Sequence, residues 1–367
     1  MANNFDATKI VMQSILPKND LLMDDRGMPS VMVWVPKFRL CDVLSTSDTS
    51  THPAFIVNGK EIDGFYFSKY QSKMYAGRAY SLPGEDPTIS IDLDSAVAQS
   101  RAKSQGWHQV TAAEYAAIAL WCHKNGSEPK GNNYWGRDKT ESDTEYVAIP
   151  TVAVDSNGRR SRVATGTGPL TWSHNGKQDG IWDLAGNGVC WVTGVRMVYG
   201  ELQIIANNNA ADSECDLSAG SNEWKAIDAS TGNLVTPNGS GTTSGTVKLC
   251  ENSGLPRWGT GSAYTSGSTS DFSKLTAEST LGDGAKVLLQ ALALLPDTGV
   301  TGTSVDTNYS NAKINWNCKI AEAVLARGAC WHSQGGSIFG MVLNTKRTAS
   351  GDGVGSRCCY LDVPDEG

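Results

Sequence analysis

A chain of 367 residues has room for two or three average domains, or for one large domain with long loops. Its composition, 40% apolar and 19% charged, sustains a sizeable core and excludes global disorder. A net charge of −7, from 31 basic and 38 acidic residues, excludes the basic footprint that nucleic acid or an anionic membrane surface demands. The 39 glycines and 11 tryptophans point instead to a loop-rich, Trp-anchored fold. No stretch approaches the roughly 20 apolar residues of a membrane span. The first residues lack the charged-then-apolar order of a secretory signal, so synthesis in a cytoplasm without standard secretion is expected. Nine cysteines, Cys41, Cys122, Cys190, Cys215, Cys250, Cys318, Cys330, Cys358 and Cys359, include no CxxC pair. They read as reduced thiols packed like small hydrophobes rather than as a zinc or redox motif.

In chain order, residues 1–30 form an N-terminal arm with a helical pattern over Thr8–Leu16, stopped by Pro17. Val31–Cys41 predicts a strand interrupted at Pro36. Phe55–Val57, the turn dipeptide Asn58-Gly59 and Gly64–Tyr70 predict a β-hairpin. A helix is expected over Ile91–Gln105, capped by Asp92 or Asp94, then an extended link over Trp107–Val110. A second helix over Thr111–Asn125 opens with Thr111 and Glu114 at capping-box spacing. From Asn132 onward the chain is mostly loop punctuated by Trp. Residues 207–310 read as a long insertion with one helical island, Lys286–Leu295, ended by Pro296.

Three segments carry the strongest pattern: 106–117 (Gly-Trp-His-Gln-Val-Thr-Ala-Ala-Glu-Tyr-Ala-Ala), 180–191 (Gly-Ile-Trp-Asp-Leu-Ala-Gly-Asn-Gly-Val-Cys-Trp), and 327–331 (Arg-Gly-Ala-Cys-Trp) followed by 355–358 (Gly-Ser-Arg-Cys). Their order and spacing resemble the formylglycine-generating-enzyme, or sulfatase-modifying-factor, branch of the C-type-lectin fold. The resemblance implies one α+β domain over 31–367, loop-rich, with the insertion at about 207–310. The residues themselves read as scaffold. Gly186, Asn187 and Gly188 supply a turn needing positive φ, flanked by the tryptophan plugs Trp182 and Trp191. Arg327 and Arg357 are expected as buried guanidinium forks on loop carbonyls, with Gly328, Trp331 and Gly355 beside them.

Catalysis finds no support. The cysteine pair that the resemblance implies for formylglycine formation falls on Ser333 and Ile338, so both thiolates are missing. The related iron-oxygenase branch needs clustered histidines, whereas His52, His108, His123, His174 and His332 are scattered. The family's calcium-loop glutamate falls on Cys190. No GxSxG, HExxH or P-loop occurs. Neither catalytic residue, metal nor cofactor is expected, and the chain is read as a non-enzyme.

Another branch of the same fold fits better: the variable proteins of diversity-generating retroelements, to which phage tropism determinants belong. The resemblance implies a variable region at about 327–358 whose outward side chains bind a ligand. Strand alternation places Phe339, Met341 and Leu343 inward and Gly340, Val342 and Asn344 outward. It likewise puts Ala329 and Trp331 on one side and Cys330 and His332 on the other. Cys330, His332, Ser333, Gly340, Val342 and Asn344 can each arise from an asparagine codon by changing adenines alone, whereas Trp331 and Met341 cannot. These six, with Lys346, form the expected ligand face, and Arg347 is a further rim residue. The expected partner is a protein or glycan on a target cell surface, not nucleic acid or a membrane interior, with a homo-oligomer adding avidity. The competing expectations are a formylglycine-generating-enzyme-like oxidoreductase and a structural virion protein.

Overall fold

The computed structural model describes residues 4–142, 148–262, 266–297, 309 and 312–362. It is a mixed α+β structure, mostly sheet and loop with few helices. The chain opens with helix Asn4–Ile15, which leaves Ile10, Val11 and Ile15 exposed and stops ahead of Pro17. An antiparallel five-stranded sheet follows in the order Asn19–Met23, Pro29–Pro36, Gly64–Ser68, Cys358–Tyr360, Trp107–Gln109. The chain's last described strand thus sits inside the first sheet.

Two local expectations change here. Asn58-Gly59 does form a tight turn, with φ of +50° and +74°, but the strand it folds back on is Lys60–Glu61. Gly64–Ser68 is taken by the five-stranded sheet, where its alternating Phe65 and Phe67 are buried. Trp107–Gln109 is a strand rather than a link, because it completes that sheet against Cys358–Tyr360.

Asp92 caps helix Leu93–Arg101 by accepting the Ser95 N–H at 2.7 Å, which leaves Asp94 outside the cap. Thr111 and Glu114 close a full capping box on helix Ala112–Lys124: Glu114 N–H donates to Thr111 Oγ1 at 3.1 Å, and Thr111 N–H donates to Glu114 Oε2 at 3.0 Å. This helix is buried on nearly every side, from Ala112 through Leu120. A helix apolar all round belongs in an interior, and its five alanines permit close approach from both sheets. Phe65 and Phe67 of the first sheet and Val192, Val195 and Met197 of the second share one core with it.

The second sheet has twelve strands, with a main path Gly267–Asp271, Lys313–Asn317, Met341–Thr345, Ala323–Arg327, Val189–Val198, Glu201–Ile204, Lys248–Asn252, Leu255–Gly259, Thr276–Ala277. Several of these strands lie within 207–310, and Leu275, Leu281, Leu289 and Leu294 join the same core as the central helix. That stretch is therefore woven into the sheet as far as it is described; residues 263–265, 298–308 and 310 lie outside the described residues. Its helix runs Asp283–Ala291, three residues earlier than the apolar run suggests. Gly282 caps it, and Ala293, at φ +50°, turns Leu292–Leu295 into a buried loop.

Glu114 also takes a hydrogen bond from His108 Nε2 at 2.8 Å and one from Asn208 Nδ2 at 3.1 Å, all in the dry core. Glu114→Ala removes the shared acceptor and strands three buried donors. Denaturant unfolding should then show a loss of about 3 kcal/mol or more, whereas Asp94→Ala should change it by less than about 0.5 kcal/mol.

Candidate ligand-binding site

The expected scaffold residues gather around one loop. Asn187 holds the left-handed position alone, at φ +67°, and neither Gly186 nor Gly188 shares it. Gly186 is needed for space: a Cβ there would lie 2.3 Å from Asn132 N. The buried Asn187 carboxamide donates to Val163 O at 2.8 Å and accepts from Val163 N–H at 3.0 Å and Asn132 Nδ2 at 3.1 Å. Trp182 packs with Val163 and Trp172, while Trp191 packs with Trp331 and donates its indole N–H to Ile91 O at 2.7 Å. Arg327 donates to Leu292 O at 2.8 Å and Ala293 O at 3.0 Å; Arg357 donates to Ser68 O at 3.3 Å and to Trp182 O. Gly355 pairs with Cys190 in a short parallel bridge.

Strand Ala323–Arg327 ends at Gly328, whose φ of +85° swings the chain out of the sheet. A Cβ at Gly328 would meet Leu184 O at 2.6 Å. Residues 329–332 therefore do not alternate as a strand: Ala329, Cys330 and Trp331 are all buried, and only His332 is exposed. The loop is fastened by Trp331 N–H on Asn187 O at 3.2 Å and Trp135 N–H on Trp331 O at 2.7 Å. The chain rejoins the sheet at Met341–Thr345, where alternation holds. Phe339, Met341 and Leu343 are core residues, Val342 is half-buried, and Asn344 and Lys346 are exposed.

Between this loop and the sheet lies a cleft of about 390 Å³, lined in part by Cys330, His332, Ser333, Gly340 and Val342. Five of the seven expected ligand-face residues are thus brought together, and Asn344 and Lys346 lie farther along the strand. Gly340 lines the cleft with backbone only. It is buried, and a Cβ there would sit 2.1 Å from Gly328 O, so it is not a position where side chains can be exchanged. Arg347 is no free rim charge: Glu322 accepts from its Nε at 2.9 Å and its Nη2 at 3.0 Å. Ser333 is exposed near the thiol, but Ile338 is sealed in the core.

The opposite wall was not anticipated. Thr269, Lys313 and Asn315 line it from strands Gly267–Asp271 and Lys313–Asn317, with Thr269 Oγ1 donating to Asn315 Oδ1 at 2.6 Å. The alternation Lys313-Ile314-Asn315-Trp316 carried the signal, with Ile314 and Trp316 buried. On the far side of the loop, Gln334 joins Tyr134, Trp135, Arg159 and Arg160 around a wider polar cleft of about 610 Å³.

Inside the first cleft, Cys330 and Ser333 make a reciprocal turn. Cys330 N–H donates to Ser333 Oγ at 3.0 Å, and that hydroxyl lies 3.3 Å from Cys330 Sγ. His332 places Nδ1 at 3.5 Å and Nε2 at 3.7 Å from the sulfur. Burial opposes the thiolate, but His332 and Ser333 outweigh it and hold the Cys330 thiol below its ordinary value. The sulfur in turn raises His332. The other histidines are held singly elsewhere: His52 on Ala291 O, His108 on Glu114, His123 on Glu128, and His174 on the Ile181 N–H. His108, Glu114 and Cys359 offer ligand atoms within 4.8 Å of one another. Here His108 Nε2 bonds Glu114 Oε1, His108 Nδ1 lies on Gly106 O, and Glu114 also takes Thr111 N–H and Asn208 Nδ2, so His108 and Glu114 sit in one buried hydrogen-bond network.

No family model matches the chain, and no curated protein matches it. Among solved structures, that of PvdO from Pseudomonas aeruginosa is similar at a TM-score of 0.36 and 13% identity, covering 93% of this chain and 97% of that one. A likeness that distant carries no functional argument. No described helix is long and apolar enough to cross a membrane.

Two predictions follow from the loop's supports. Gly340→Ala should cost about 3 kcal/mol in denaturant unfolding, whereas Asn344→Ala should stay within about 0.5 kcal/mol. Asp183, beside Trp182, is buried with Oδ1 unpartnered, and burial pushes its carboxyl up to about 6. An acid with a raised folded value weakens the fold as pH rises from its unfolded value, about 4, to about 6. Asp183→Asn, which keeps an acceptor for Gly166 N–H and tolerates the φ of +61°, should therefore raise the melting temperature at pH 8. The gain should vanish below about pH 4.

Proposed function

We propose that this chain is a non-catalytic ligand- or receptor-binding protein of the C-type-lectin fold, formylglycine-generating-enzyme type, with the expected arm 1–30 reduced to the helix Asn4–Ile15 because Asn19–Met23 and Pro29–Pro36 are strands of the first sheet. In this reading 327–358 is the variable region of a retroelement-diversified phage or cell-surface adhesin, and its partner is a protein or glycan on a target surface. The supporting observation is the division of labour within one segment. Phe339, Met341 and Leu343 fill the core, while His332, Ser333 and Val342 at the cleft, and Asn344 and Lys346 farther along the strand, are exposed or half-buried. Substitutions on such a face usually change stability by less than about 0.5 kcal/mol, so its chemistry can change on a constant scaffold. Polar, adaptable side chains of this kind also suit recognition.

The test exchanges His332, Ser333, Val342 and Asn344 together and measures both melting temperature and binding to protein and glycan arrays. A near-constant melting temperature with a changed binding profile supports the reading; an unchanged profile on every array overturns it. Sequencing around the gene gives an independent check. A near-copy of the 327–358 coding segment that differs only at adenines, next to a reverse-transcriptase gene, is the expected finding.

A further inference from the structure

We propose that Cys330 is a thiolate nucleophile on the floor of the cleft, held by His332 and Ser333, that captures a disulfide-bearing ligand covalently by thiol–disulfide exchange. The proposal rests on reading this cleft as the ligand site and adds the chemical class that the site takes. A thiolate needs hydrogen-bond donors and a nearby cation, and the 330–333 turn supplies both. The Ser333 hydroxyl, whose oxygen accepts from Cys330 N–H, has its own hydrogen free to donate to the sulfur, and the imidazole of His332 stands over the same atom.

Four other charged groups stand near this turn. Asp352, on the loop that returns toward the sheet, stabilises protonated His332. Lys313 lines the opposite wall, although it is paired with Asp271. Lys139 lies over Gly335, and Arg162 stacks on Trp331 while paired with Asp86. Among the described thiols whose ionisation is displaced, burial pushes Cys122, Cys190, Cys215, Cys250 and Cys359 up; Cys330 alone moves down.

The chemistry balances without an added oxidant. Cys330 Sγ attacks one sulfur of the ligand's disulfide, a new S–S bond forms, and the ligand's own S–S bond breaks. Its electron pair leaves on the far sulfur, which takes a proton from the His332 imidazolium. No second cysteine lines the cleft, so the mixed disulfide persists until an external thiol reverses it. That distinguishes covalent capture from an internal redox couple.

The experiment treats the full chain with glutathione disulfide, and separately with the aromatic disulfide 5,5′-dithiobis(2-nitrobenzoate), from pH 5 to 9, and maps adducts by mass spectrometry. Cys330 should react first, at pH 6 at least about tenfold faster than the partly exposed Cys41 and Cys215, with a rate plateau below the ordinary thiol range. His332→Gln should reduce the pH 6 rate about tenfold and move the plateau upward. His332 is exposed, so the melting temperature should not change. Cys330→Ser should abolish the adduct. The proposal is overturned if Cys330 stays unmodified where Cys41 reacts, or if its pH profile is that of an ordinary thiol in both the parent and His332→Gln. These probes need no target ligand, so failure of the binding-array test leaves this result readable, and a silent Cys330 leaves the array result standing.

Discussion

The amide side chain of Asn187 sets the geometry on which the cleft beside Cys330 depends. Buried at a left-handed position, it bonds to both backbone groups of Val163 and to the Asn132 side chain, and so clips three stretches of loop together without regular secondary structure. Its own carbonyl receives Trp331 N–H, which fastens the loop that carries Cys330 and His332. The lip of the cleft is thereby positioned by backbone groups and one buried amide. None of those bonds depends on the identity of an exposed side chain, and that independence is what a surface of changing chemistry requires.

Two buried arginines tie this loop system to the sheets. Arg327 ends the strand that leads into the cleft and reaches back to the carbonyls of Leu292 and Ala293, at the close of the helix within 207–310. Arg357 enters the last strand and bonds Ser68 of the first sheet and Trp182 of the loop. A guanidinium stays charged even when burial lowers it, as it lowers Arg327 to about 10, so each must be met by oriented carbonyls. Arg327 meets both of its carbonyls through the one Nη2, whereas Arg357 divides Ser68 O and Trp182 O between Nη1 and Nη2, a fork that a lysine's single point charge would not reproduce. The same residues that mark the motif in the sequence thus join the late strands to the early sheet.

Much of the scaffold was legible because it rests on local rules. The Thr111–Glu114 box and the Asp92 cap follow from short-range hydrogen bonding, and Phe339, Met341 and Leu343 from a period of two. The errors arose where backbone geometry broke the period. Gly328 turns the chain left-handed, so Cys330 and Trp331 are both buried despite being neighbours. Gly340, read as an outward position, is confined by the carbonyl of Gly328. The strand Gly267–Asp271 was hidden in a Gly/Ser/Thr-rich stretch, because its pairing partner, Lys313–Asn317, lies more than 40 residues away and no local signal marks the register. The wall that Thr269, Lys313 and Asn315 form was lost with it.

That hidden wall bears on how the face is kept free. Gly267–Asp271 is the outermost strand of the large sheet, and a bare strand edge beside the cleft invites pairing with another chain. Here the edge is short and polar: Ser268, Thr269 and Ser270 face outward or sit half-exposed, and Asp271 is flanked by Lys274 and Lys313. Charge and brevity discourage a further strand, while Thr269 and Asn315 satisfy each other across the cleft wall. The edge disfavours backbone pairing, while His332, Ser333 and Asn344 keep their side chains exposed and Val342 is half-buried beside them. What this surface presents is accordingly side-chain chemistry, on a turn whose backbone is fastened by Trp331 N–H and O and by Cys330 N–H.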